Sequence, residues 1–298
     1  MLSALATRLD CWGAGTKIDA FKTGWPAKTR DDIAFYDTGK AHYRYRVRGR
    51  GPTIVFTVDP PATLELYDDL LDIFSDMYRV IAVEMPAMGF SVARMRYSFN
   101  FEEAAEDLAD FCEAVAGKQA ILAFSCAAGL AAPYIADKRP DLASKLALLQ
   151  TTDWQGFQKW KSMRDPKGVL GKPFLGQIAM RKLAPSRVGQ WFELAVGNEE
   201  LKQPFCECAR ETLDHGAGWA LASAYQRYLR AGASPLKQIN QPTLVIWGAL
   251  DRSHDHYAPD RAKNFGPNTR LEVLRDVGHF PELEDPRQTF NVMSSFLK

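Results

Sequence analysis

With 298 residues, 46% of them hydrophobic and 24% charged, the chain has the make-up of a folded protein. It is long enough for one large α/β domain, or for a core domain with an insertion, and too apolar for extended disorder. A formal net charge of +1 offers no bulk attraction to nucleic acid or an anionic membrane, and no stretch reaches the ~18 apolar residues needed to span a bilayer. The five cysteines (Cys11, Cys112, Cys126, Cys206, Cys208) are odd in number and lack paired metal-site spacing, and no glycine-rich dinucleotide fingerprint follows the first parallel strand. No metal and no cofactor are therefore expected. The opening residues carry an early Arg and Asp and no sustained apolar run, so a cytoplasmic location is the expectation.

In chain order, residues 1–30 show no clear period and read as an N-terminal arm, a candidate contact for a homodimer. "IAFYDT" and "HYRYRVRG" read as two strands joined at Gly39, with the arginines of the second on an exposed face. "PTIVFTV" is a short buried strand, followed by Pro60 and Pro61 and a helical "LELYDDLLDIFSDM". "RVIAVEMP" is the next buried strand. "SFNFEEAAEDLADFCEAVAG" reads as a helix with a Ser or Asn cap, acidic first turns and Gly117 at its end. "QAILAF" is a strand that runs into "SCAAGLAAPYIADKRP", a helix stopped at Arg139-Pro140. "SKLALLQTT", "PTLVIWG" and "TRLEVLRDVG" are strands, and "PRQTFNVMSSFLK" closes the chain as a helix.

Short apolar strands alternating with helices predict a mostly parallel, doubly wound α/β sheet of about eight strands, with an antiparallel edge from the leading hairpin. Residues 153–235 interrupt the alternation. They are rich in helix formers and aromatics, Trp154 among them, and far exceed what one strand–helix connection needs. They predict a helical cap inserted after the sixth strand, leaving 31–152 and 236–298 as the core.

Three motifs carry a resemblance. The strand–turn–helix at 121–140 resembles a nucleophile elbow, "VIWGALD" presents Asp251 after a strand, and "DVGHFPELEDP" places His279 in a loop. A weaker fourth is "EMPAMGFS". Together, over roughly residues 33–298, they resemble the α/β-hydrolase superfamily, in its capped form with the architecture of haloalkane dehalogenases and epoxide hydrolases. The resemblance implies a triad in the order nucleophile, acid, histidine. His279 takes the nucleophile's proton and Asp251 holds the imidazole's tautomer. His254 and His256, in "DRSHDHY", read as a polar loop beside the acid, with His254 or Asp255 as a fallback partner for His279.

The nucleophile is either Ser125 or Cys126, and two arguments oppose each other. An elbow needs small residues two before and two after the nucleophile. Ser125 has Ala123 and Ala127, whereas Cys126 has Ala128 but bulky Phe124. Helix register favours Cys126, because Gly129, Ala132 and Ala136 then fall where the family keeps small residues against the sheet. Choosing Ser125 rotates that face by about 100°. The packed face carries more weight, and Cys126 is the expected nucleophile.

Capped members usually carry His-Gly after the third strand, and here "FTVDPPAT" replaces it. Asp59 then takes the position of an oxyanion-hole amide, since Pro60 has no N–H. The other amide is that of Ala127. A carboxylate beside an oxyanion is unfavourable unless it points away or is protonated. Asp59 is thus either a turn residue or a group that binds or protonates substrate. Phe124 and Trp154 are candidates for lining the substrate site. These observations lead to an enzyme acting on a small-molecule ester, thioester or lactone through an acyl-cysteine. The alternatives are a lyase or C–C bond hydrolase using His279 and Asp251 as general base, and a non-catalytic binding protein.

Overall fold

The computed structural model describes residues 2–22, 30–254 and 258–298. Among the described residues nine strands form one sheet: β1 (Ile33–Asp37), β2 (Ala41–Arg48), β3 (Thr53–Thr57), β4 (Arg79–Val83), β5 (Val92–Ala93), β6 (Ala120–Ser125), β7 (Ala143–Leu149), β8 (Thr243–Gly248) and β9 (Thr269–Leu274). Their order is β1-β2-β4-β3-β6-β7-β8-β9, with β5 paired to the edge of β2. From β4 to β9 the neighbours are parallel, and β2 is antiparallel to β1, β4 and β5. The predicted parallel sheet with an antiparallel edge is therefore present. The ninth strand is β5, whose two residues are too few to show a period.

Apolar clusters cover both faces. On one, α3 (Phe101–Phe111) and α4 (Ala131–Lys138) bury Leu108, Phe111 and Ile135 against Val55, Leu122 and Phe124. On the other, α2 (Asp68–Ser75) and α10 (Pro286–Leu297) bury Phe74 and Met293 against Ile54, Phe56 and Ile246. Strands covered on both faces are buried along their whole length and read as apolar runs, as β6 and β8 do apart from Ser125 and Thr243.

The N-terminal segment read as an arm is a helix, α1 (Leu2–Lys22). Its small residues Ala6, Cys11 and Ala14 face the protein, while Leu2, Leu5, Leu9 and Trp12 are exposed. That inverts the usual pattern, so no inward apolar stripe was legible. The basic strand β2 also departs from expectation. Arg44 and Arg46 are 0% exposed. Arg44 pairs with Glu84 at 3.0 Å and with Glu65, and Arg46 pairs with Asp32 at 2.9 Å and Asp68 at 2.7 Å. Buried guanidinium groups persist only when paired in this way, and the partners lie too far along the chain for a local pattern to reveal.

Between β7 and β8 the chain forms α5 (Trp154–Arg164), α6 (Leu175–Ala195), α7 (Glu199–Asp214) and α8 (Leu221–Arg227). The insertion follows the seventh strand in chain order, or the sixth if β5 is left out. Among the described residues no helix is long and apolar enough to cross a membrane.

Candidate active site

The end of β6 settles which residue stands at the turn. Ser125 is extended, at φ −104° and ψ 143°, and closes the strand. Cys126 has φ +50° and opens the 3-10 turn Cys126–Leu130 that leads into α4. A non-glycine residue in the left-handed region costs on the order of 1–3 kcal/mol and persists only where its surroundings over-determine it. Here the Thr151 hydroxyl donates to the Cys126 carbonyl at 3.1 Å, and the Ser125 amide donates to Thr57 Oγ1 at 2.9 Å. A Cβ added to Gly129 would collide with Thr151, so this helix approaches β7 too closely for any side chain there. Ala132 and Ala136 are buried as the register argument required.

Ser125 is turned to other work. Its hydroxyl donates to Glu282 Oε1 at 2.8 Å, deep in the protein. Phe124, the residue that counted against Cys126, lies in the core on the α3/α4 face. It packs under the turn and not into it, which is why its bulk is tolerated, and it does not line the substrate cavity. Trp154 also leaves the site. Its ring packs on Phe101 with centroids 5.3 Å apart, and its indole N–H donates to the Gly232 carbonyl at 3.2 Å. The aromatics that do reach the cavity are Trp160 and Trp191, further along α5 and on α6, with Tyr225 and Tyr228 at α8.

His279 is buried between two carboxylates. Nδ1 lies 2.8 Å from Asp251 Oδ2 and Nε2 lies 3.0 Å from Asp59 Oδ2. Each ring nitrogen thus faces a carboxyl group, an arrangement that favours the doubly protonated ring. Burial pulls its pKa down, but the charge of Asp251, followed by bonds to Asp251 and Asp59, carries it well above the ordinary histidine value. Asp251 is held well below the usual carboxylate range, because the His279 charge and bonds from His254 and His279 outweigh its burial. Gln150 donates to the same oxygen at 2.8 Å and the Ser253 amide donates to Oδ1 at 2.7 Å.

Cys126 Sγ, a carboxylate oxygen of Asp59 and a ring nitrogen of His279 lie within 4.8 Å of one another. Burial, and then the Asp59 charge, push the thiol up to about 12, with His279 pulling the other way. The resting site is therefore a neutral thiol beside an imidazolium clamped by two aspartates. The Asp59 carboxylate points at His279, so the reading of Asp59 as a mere turn residue misses its main contact. One thiol, one imidazole and one carboxylate are also a donor set that suits zinc; here Nε2 and the Asp59 oxygen are bonded to each other. Ala127 follows Cys126 in the first turn, where backbone N–H groups have no partner within the helix, and it lines the cavity with Asp59 and Cys126.

His254 does not serve as a partner for His279. Its Nδ1 shares Asp251 Oδ2 at 2.9 Å, and its ring stacks on His279 at 5.1 Å. Burial keeps it below the ordinary histidine value, hence neutral. His256 and Asp255 lie outside the described residues.

Two glutamates of the histidine loop escaped the sequence reading. Glu284 accepts from the amides of Gly197, Asn198 and Gly278 through one oxygen and from Phe280 through the other, at 2.7–3.1 Å. It ties the His279 loop to the chain between α6 and α7. Glu282 receives Ser125, and burial raises its pKa to about 7. The signal was present in "FPELEDP", where acidic residues recur in an apolar loop, but their partners are distant in sequence.

The α/β hydrolase fold family matches residues 61–286, most of the chain. The chain belongs to the α/β-hydrolase fold family. It is 24% identical over 235 residues to the uncharacterized hydrolase YugF of Bacillus subtilis, covering 77% of this chain and 84% of that protein. Among solved structures it is similar to a thermophilic esterase from Thermogutta terrifontis, with a TM-score of 0.69 at 18% identity, over 89% of this chain and 97% of the other. It is also similar to the Bacillus megaterium epoxide hydrolase, with a TM-score of 0.64 at 16% identity, over 89% and 99%. At such identities these two likenesses speak to the fold. This α/β-hydrolase fold carries a cysteine at the turn and an aspartate facing the histidine, and both features bear on its chemistry.

Proposed function

We propose that the protein is a hydrolase that opens an ester, thioester or lactone through an acyl-cysteine on Cys126, under the helices α5–α8 acting as a cap. The observation that carries this reading is the left-handed backbone of Cys126 at the strand–helix turn, with its sulfur beside a histidine anchored by Asp251. The cavity above it measures about 340 Å³ and has largely apolar walls, which suits the body of a small to medium substrate.

The resting protonation states dictate the order of proton movements. As Sγ closes on the substrate carbonyl carbon, the thiol proton leaves into the Asp59–His279 pair and ends on Asp59. The oxyanion forms against the Ala127 amide. The imidazolium gives its Nε2 proton to the leaving oxygen or sulfur as the acyl bond breaks, leaving an acyl-cysteine and a neutral His279. Neutral His279 then takes a proton from water, whose oxygen attacks the acyl carbon. The acid departs, and the freed thiolate recovers its proton from Asp59.

The test is intact-protein mass after brief exposure to a p-nitrophenyl ester, with peptide mapping. An acyl group on the 121–138 peptide, lost in Cys126→Ala and kept in Ser125→Ala, is the expected result. One observation favours a second reading: Asp59, and not Cys126, occupies Nε2 at rest. If Cys126→Ala still turns the ester over without any adduct, the His279–Asp251 pair acts as a general base on water, and acyl-cysteine chemistry is ruled out.

A further inference from the structure

Among the described residues, the large apolar side chains that meet solvent are not spread evenly. Leu2, Leu5, Leu9 and Trp12 stand on α1 at spacings of three and four residues, which sets them in one stripe along the helix. Each is between 50% and 67% exposed. Leu175, Ile178 and Leu183, also exposed, stand on α6. A surface that only meets water scatters such residues singly, so their gathering on two helices marks a contact surface.

The packing of α1 fixes its stripe outward. The helix lies against β5 and α8, so closely that a Cβ on Gly13 would collide with the Trp219 indole. Asp10, 1% exposed, accepts from Ser223 Oγ at 2.6 Å and pairs with Arg181 of α6. The Arg181 guanidinium lies over the Trp219 ring at 4.5 Å, and Arg227 Nη1 donates to Ser3 Oγ at 3.2 Å. These contacts join α1, α6 and α8 into one layer. Ile178 stands one turn before Arg181, on the side of α6 that reaches toward α1.

Charge says what this layer meets. Residues 166–192 hold no acid and, beside Arg181, four exposed cations: Lys167, Lys172, Lys182 and Arg187. Residues 215–230, which include α8, also hold no acid. Residues 2–17 add Arg8 and Lys17, both exposed, and their one acid, Asp10, is turned inward. Most of the cap's carboxylates lie instead in α7, at Glu199, Glu200, Glu207, Glu211 and Asp214. The formal net charge of +1 thus hides a basic, apolar layer. Two copies paired through this face would set cation against cation, and a nucleic acid would leave the leucines and Trp12 in water. An anionic lipid interface answers both features, since acyl chains take the stripe and headgroups take the cations.

We propose that the outer face of α1 and α6 docks the protein on an anionic lipid membrane. Leu183 and Arg187 are exposed and also line the cavity, so docking brings the α6 rim of the cavity to the lipid. The docking stands apart from the hydrolase reading and is tested without turnover.

The test is co-sedimentation of the full chain with sucrose-loaded vesicles, of phosphatidylcholine alone or mixed equally with phosphatidylglycerol. The protein is expected on the mixed vesicles, with a partition coefficient at least about tenfold above that on phosphatidylcholine and falling as salt rises. Replacing Lys172 and Lys182 by glutamine should lower it by about 25-fold, a factor of about five for each cation. Leu5→Ser, Leu9→Ser and Trp12→Ser together should abolish binding while Tm moves by no more than about 3 °C, because these side chains are at least half exposed. The lysine variant, on another helix, decides the matter if the α1 variant fails to fold. Absence of the wild type from both kinds of vesicle overturns the proposal, as does equal binding by the wild type and both variants. A dimer in analytical ultracentrifugation that the α1 variant dissolves, with no vesicle binding, also overturns it and assigns the stripe to a second copy.

Discussion

Replacing Asp59 with asparagine isolates the least expected feature of the site. The carboxylate lies within 4.8 Å of Cys126 Sγ, and its charge opposes formation of the thiolate. At an effective dielectric of about 20, two unit charges at that separation repel by about 3.5 kcal/mol, or roughly 2.5 pKa units. The isosteric amide removes this repulsion, so a thiol held at about 12 by burial and then by Asp59 moves down. At pH 8 the thiolate fraction then rises by about 300-fold, but a thiolate of lower basicity is a weaker nucleophile. With a Brønsted slope near 0.45 the net gain in attack rate is about 20-fold. That figure is a ceiling, because the amide also releases some of the grip that keeps His279 cationic. The assay is the rate of iodoacetamide labelling of the peptide containing Cys126, read by mass spectrometry. The partly exposed Cys208 serves as internal reference, since burial and then the Glu65 charge, with no contribution from Asp59, hold it at about 12. An unchanged or slower rate at Cys126 in Asp59→Asn, relative to Cys208, would refute the electrostatic account of the resting site.

Further outcomes follow from the supports of the site. Among the described residues, Ser125→Ala leaves Glu282 Oε1 with the Tyr67 hydroxyl at 3.5 Å as its side-chain partner, and should cost about 1–3 kcal/mol in denaturant unfolding while the acyl adduct still forms. Glu282 is raised from 4.5 to about 7, so the folded state holds this proton more tightly than the unfolded chain. Its stabilising contribution is complete below about pH 4.5 and is lost as pH climbs through about 7, a span worth up to ~3 kcal/mol. In Glu282→Gln the fall in Tm between pH 5 and pH 8 should therefore shrink; an equal fall in both proteins would show that Glu282 does not titrate there. Glu284→Ala orphans four amides, and should lower stability by about 3 kcal/mol or more and ester turnover by over about 100-fold, while Cys126 remains open to alkylation. Gly129→Ala drives a methyl into Thr151, which braces the Cys126 carbonyl, and should cost about 1–3 kcal/mol by urea titration.

Much of this could be read from the chain alone. The central strands are mostly apolar because both faces are covered, and the amphipathic α2, α3 and α10 stand out by their period. Those patterns, with Asp251 and His279 each following an apolar strand, were enough to give the order of the elements and the family resemblance. The small residues Gly129, Ala132 and Ala136 favoured Cys126, because the face a helix packs against a sheet is written in its own residues. Local patterns of this kind survive in one dimension.

What depended on distant partners did not survive. Arg44 and Arg46 look like a solvated basic strand until Glu84, Glu65, Asp32 and Asp68 are brought to them. Phe124 and Trp154 are aromatic residues beside a site, but which side of the backbone they occupy is decided by packing, and both turn into the core. Asp59 and Ser125 are equally ambiguous as letters. Folding sets one against His279, 220 positions away, and the other against Glu282, 157 away. The sequence by itself determined the α/β sheet, its helical insertion and the motifs of the family resemblance, since these rest on periodicity and short motifs. Only the tertiary structure decided that Asp59 faces His279 and which residues wall the cavity above it. Charge and hydrogen bonding act through space, and chain separation carries no trace of them.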